Sequence, residues 1–158
     1  MPNIANEQDD RLGTFIDALK SEDDLGMVVR AHIHIEHELR EFVTSAAPRP
    51  DQVKEMNFDG TIRLALVLGL DATLKPALNA IGNLRNKFSH RLGMKLGSQE
   101  VNDLFAALSP QDKKMVQEIY KKQGGNNIQA VPIAERVRFV FIALVVALRT
   151  ETALLENR

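Results

Sequence analysis

Apolar positions recur at three- and four-residue intervals along most of the chain, and strand-like alternation is missing, so the pattern predicts an all-α bundle with short connections. RLGTFIDALK (11–20) reads as a short amphipathic helix, and residues 1–21 as a peripheral N-terminal element. The acidic cluster Glu22, Asp23 and Asp24 suits the positive end of a second helix, expected to reach about Ala46, where Pro48 and Pro50 forbid continuation. NFDGTIRLALVLGL (57–70) predicts a shorter helix ending at Gly69. Asp71 or Thr73 caps the next, Pro76 falls in its first turn, and the helix is expected to run to about Leu92 before Gly93. Ser98 opens a further helix, Ser109 and Pro110 cap and begin another, and Gly124–Asn127 forms a turn. Pro132 opens a last helix that continues to about Glu156.

Two helical faces carry candidate chemistry. At 100° per residue, Leu25, Val28, Ile35, Leu39, Phe42, Val43 and Ala46 share one stripe. His32 falls within that stripe and Glu36 at its flank, whereas His34 and His37 point to the polar side. A buried histidine needs a polar partner, so a His32–Glu36 hydrogen bond is expected. On the later helix, Leu74, Ala77, Leu78, Ile81, Leu84, Phe88 and Leu92 form the core stripe, with Arg85 beside it. Asn79, Asn83, Asn86 and His90 make a separate polar line, which either faces water or offers neutral hydrogen-bonding groups next to a histidine.

Composition narrows the function classes. The 158 residues suit one domain, 1–158, and 44% hydrophobic with 26% charged residues is an ordinary globular mixture. Twenty basic and 21 acidic side chains give no global positive field, so phosphate binding would have to be local. The absence of cysteine excludes thiol catalysis, thiolate metal sites and disulfides. The polar, acidic N-terminus lacks signal-peptide character, and the apolar run FVFIALVVAL (139–148) is too short for a bilayer, so the expected location is the cytoplasm. That run, apolar on all sides, predicts burial from several directions, in part at a subunit interface. Arg136, Arg138 and Arg149 around it read as surface charge or as RNA contacts.

The pair Arg85 and His90 fits metal-free phosphodiester cleavage in RNA. Histidine titrates near neutral pH and can move the 2′-hydroxyl proton; arginine offers a charged donor fork to the phosphate. Asn86 could orient either group, and the products would be a 2′,3′-cyclic phosphate and a 5′-hydroxyl. Residues five apart differ by about 140° in direction and about 7.5 Å along the axis of a straight helix. The two side chains therefore meet only if the last turn is distorted or a second copy supplies one of them. Against catalysis stands a simpler reading, in which Lys87, His90 and Arg91 are cations opposing the dipole at a helix C-terminus.

The stretch RNKFSH (85–90) resembles the R-x4-6-H motif of the HEPN superfamily. Within it, AHIHIEHELREFV (31–43), FDGTIRLALVLGL (58–70) and LNAIGNLRNKFSH (78–90) resemble the mannitol operon repressor (MltR) family. The resemblance implies an up-and-down bundle of about four main helices, plus short additional ones, that forms a homodimer with the motif helices near the two-fold axis. It implies a metal-independent endoribonuclease in which Arg85 and His90 are catalytic, Asn86 assists, and His32 or Glu36 supports the site from the early helix. Toxins of this kind often pair with a nucleotidyltransferase-type antitoxin. The alternative is a non-catalytic regulator or protein-interaction module, for no helix-turn-helix with a basic recognition helix is evident. No cofactor is expected, since the glycine pair Gly124–Gly125 lacks a phosphate loop's lysine. No metal is expected either: His34 and His37 share one face, His32 and Glu36 another, and no single site collects three ligands.

Overall fold

A computed structural model describes residues 4–20, 22–91 and 93–157. Among them lie seven α-helices and no strand: α1 (Ile4–Lys20), α2 (Asp24–Ala46), α3 (Phe58–Val67), α4 (Lys75–His90), α5 (Ser98–Ala106), α6 (Pro110–Lys122) and α7 (Ile133–Glu156). Short 3-10 turns occupy Pro50–Gln52, Ala72–Leu74 and Ile128–Ala130. The architecture is the all-α bundle that the periodicity predicts. No helix among the described residues is long and apolar enough to cross a membrane.

Helix α7 forms the spine. Its residues Phe139 to Val145 are all buried, because α2 packs along one flank and α5 and α6 cover others. The expectation that a subunit interface covers part of this run is corrected here: its own chain buries it. Each fully buried Phe141, Leu144 or Leu148 contributes about 1.5–3 kcal/mol relative to exposure. Arg149 leaves the same helix to meet Glu38 of α2, Nε to Oε1 at 2.9 Å, and Glu38 is buried. Arg136 and Arg138 are also half-buried along α7. Arg149 is therefore not the free surface charge that the sequence pattern suggests.

Helix α2 buries Val28, Ile35, Leu39, Phe42 and Val43 as predicted, together with Met27 and Ala31. Leu25 departs from the stripe at 41% exposure. It sits in the first turn, beside a shallow cavity that it lines with Gly93, Met94 and Lys95. His34 is not on a solvated face either, because α1 docks there. The Phe15 ring lies 4.4 Å from the His34 imidazole, centroid to centroid, and Phe15 and Leu19 anchor α1 in the core.

Capping explains the helix limits. The Asp23 carboxylate accepts the Gly26 N–H at 2.7 Å and starts α2. Asn57 does the same for α3 through the Gly60 N–H at 2.8 Å. Asp71 caps the Ala72–Leu74 turn, accepting from the Thr73 N–H and hydroxyl, and α4 then begins with Pro76 in its first turn. The last helical residue of α4 is His90, short of the expected Leu92, which lies outside the described residues. Gly93 follows at φ 78, a left-handed conformation that glycine adopts without strain. Ser109 accepts from the Asp112 N–H at 3.0 Å, with Pro110 opening α6 as expected.

Candidate functional site

Helices α2, α3 and α4 pack so that an open cleft of about 500 Å³ lies between them. His32 of α2 forms part of its wall; Asn57, Phe58, Asp59 and Ile62 enter from the start of α3. From α4 come Asn79, Gly82, Asn83, Arg85 and Asn86. The polar line on α4 therefore divides: three asparagines and Arg85 line the cleft, while His90, one turn further on, is exposed outside it. Helical geometry is the cause, since α4 is regular through His90 and keeps residues 85 and 90 on different faces. Arg85 and His90 do not converge within one chain.

His32 has an unusual position. It is 3% exposed, its ring lies 4.5 Å from that of Phe58, and Nε2 has no hydrogen-bond partner. The expected hydrogen bond to Glu36 is not made. Nδ1 stands 3.7 Å from Glu36 Oε2, too long for such a bond, because the Glu36 carboxylate is held by Arg40 at 2.7 Å through Oε1. The nearby carboxylate still favours the proton on Nδ1, which leaves Nε2 as an acceptor. Burial lowers the His32 pKa below 6.5, the Arg85 guanidinium lowers it further, and Glu36 opposes both. His32 is thus a neutral imidazole at pH 7, and leaving its acceptor unsatisfied costs about 1–3 kcal/mol.

Around this ring the remaining groups are mostly neutral amides. The Asn57 oxygen is taken by the α3 cap, so its NH2 group is the part left to face the cleft. Asp59 is exposed and paired with Arg63 at 2.9 Å, which tempers its charge at the rim. Arg85 supplies the positive charge, exposed and able to reach a phosphate. Gly82 lets Phe58 lie close to α4: a Cβ there would meet Phe58 Cδ1 at 3.3 Å.

The sequence pattern pointed to Arg85, Asn86 and His32 and to the asparagine line, and the fold brings these together. It did not single out Phe58, Asn57 or Gly82. A glycine in mid-helix is the signal that was available, because it costs about 1 kcal/mol against alanine and so marks a close approach. Glu36 lies on the flank of α2, bonded to Arg40, and does not line the cleft. Among the described residues no group of three acidic or histidine side chains could hold a metal ion. No protein-family model matches the chain. No curated protein and no solved structure matches it either.

Proposed function

We propose that this chain is a HEPN-type, metal-independent endoribonuclease whose site is composite. Arg85 and Asn86 of one protomer act on a phosphate together with His90 of a second copy, and His32 supports the same cleft from below. The observation that carries this reading is the division of the α4 motif. Arg85 and Asn86 line an open polar cleft, and His90 projects from another face of the same exposed helix end. Two copies meeting along α4 around a two-fold axis place each His90 toward the other's Arg85. The three sequence blocks behind the resemblance fall on α2, on α3 with the turn that follows it, and on α4, which are the elements that wall the cleft.

In this mechanism His90 removes the 2′-hydroxyl proton, the 2′-oxygen attacks phosphorus, the bond to the 5′-oxygen breaks, and that oxygen takes a proton from water. The products are a 2′,3′-cyclic phosphate and a 5′-hydroxyl, with the Arg85 guanidinium matching charge on the phosphoryl oxygens. The test is incubation of the purified chain with mixed RNA in EDTA, beside Arg85→Ala and His90→Ala. Cleavage that both substitutions abolish supports the reading; cleavage that is absent, or unchanged by them, rejects it.

If Arg85 and His90 stay apart in the assembled protein as well, the reading that remains is a non-catalytic module of the mannitol-repressor type that binds a regulatory protein. Absence of cleavage combined with a solution dimer is its signature.

A further inference from the structure

We infer that α1 is an acid-released strap, held on α2 by a seam in which the Phe15 ring covers the His34 imidazole, and that a proton on His34 loosens this seam. The strap operates whether or not the chain cleaves RNA. Helix α1 rests mainly on α2. Its grip is apolar: Phe15 and Leu19 are fully buried, and Leu12 and Ile16 pack partly against the core. A peripheral helix with few anchors opens locally, at less cost than global unfolding. His34 is half-buried beneath it, the two ring centroids 4.4 Å apart and the planes inclined by 39°. Unlike Phe15 and Leu19, an imidazole changes its charge near neutral pH.

The surroundings receive that charge poorly. Arg30, His37 and Glu38 stand about one turn away on α2, and Arg149 acts on His34 from α7. Arg11 of α1 joins His37, Glu38, Glu41, Arg149 and Glu156 in the adjoining cleft. Glu38, the carboxylate that favours an imidazolium at His34, is already engaged by Arg149 at 2.9 Å. Burial lowers the His34 pKa below 6.5; Glu38 raises it, and His37, Arg30 and Arg149 lower it further. When α1 lifts, His34 returns to water and to its ordinary pKa. The released state therefore binds the proton first as pH drops below 6.5, and docking of α1 weakens in that window. Release bares Phe15, Leu19 and the His34 face of α2.

The experiment is hydrogen–deuterium exchange of the full chain, read by mass spectrometry on peptides of α1 and α7. It runs from about pH 7.5 to about pH 5, with rates corrected for intrinsic exchange. Helix α1 is expected to lose protection as pH falls, while α7 stays protected. His34→Phe keeps a ring under Phe15 that takes no proton, and His34→Gln is neutral and smaller; each is expected to abolish the pH dependence. His32→Leu, whose side chain lines the α2–α3–α4 cleft instead, is expected to keep it. Protection of α1 that does not change with pH overturns the inference, as does a pH dependence that survives in a folded His34 variant. A gain of protection in acid overturns it too, since the Phe15 ring would then hold the imidazolium. Parallel loss in α1 and α7 also overturns it, because acid would then unfold the chain as a whole.

Discussion

Replacing His32 by leucine should make the protein more stable while removing an imidazole from the wall of the α2–α3–α4 cleft. The wild-type imidazole is 3% exposed with Nε2 unsatisfied, a cost of about 1–3 kcal/mol. Leucine is of similar volume and places no polar atom there. The substitution forfeits the ring contact with Phe58, about 0.5–1.5 kcal/mol, and releases nothing from Glu36, which stays on Arg40. The net expectation is a gain of about 1 kcal/mol at neutral pH, or about 2–4 °C in Tm for a chain of this length. The pH dependence sharpens the test. His32 has a lowered pKa when folded, so the unfolded chain binds its proton first as pH drops below 6.5. Wild-type stability therefore falls with acidification in that window, and His32→Leu loses this component. Urea unfolding followed by far-ultraviolet circular dichroism at about pH 7.5 and about pH 5.5 measures both effects. A variant destabilised by about 1 kcal/mol or more at neutral pH, or one whose advantage does not grow on acidification, refutes the account of an orphaned neutral imidazole.

Other substitutions probe the scaffold. Phe141→Ala empties a fully buried position in the α7 spine and should cost about 3–5 kcal/mol in the same urea assay. Arg149→Ala leaves the buried Glu38 carboxylate without its charged donor and should cost about 2 kcal/mol, the scale of a hydrogen bond to a charged group. Asn57→Ala removes the α3 cap and should cost about 1 kcal/mol, with weaker RNA binding measured by anisotropy, because the same side chain lines the cleft.

The fold was legible in the sequence because long-range packing here follows local periodicity. The stripe through Val28, Ile35, Leu39 and Phe42 and that through Ala77, Leu78, Ile81 and Leu84 are both buried, and Pro48, Ser109 and Pro110 fall where helices stop or start. What periodicity does not show is which helix lies over which face. His34 reads as solvated until Phe15 of α1 is placed on it, and Leu25 reads as core until the bundle ends before reaching it. Arg149 reads as surface charge although its partner Glu38 lies on a helix far away in sequence. The same limit applied to the site. Arg85, Asn86 and the asparagine line follow from α4 alone, whereas Phe58 and Asn57 join them only through the packing of α3. A hydrogen bond between His32 and Glu36 was a reasonable inference from i,i+4 spacing, but competition from Arg40 at the same spacing decides against it.

The proposal of a composite site is tested most directly by complementation between two inactive chains. Arg85→Ala and His90→Ala are each expected to lack RNA cleavage in EDTA. Refolded together in equal amounts, half of the dimers are mixed, and each mixed dimer keeps one intact Arg85–His90 pair of two, so about a quarter of wild-type activity should return. If the mixture stays as inactive as its components while mixed dimers form, the two side chains do not act across a subunit boundary, and the account is wrong at its centre.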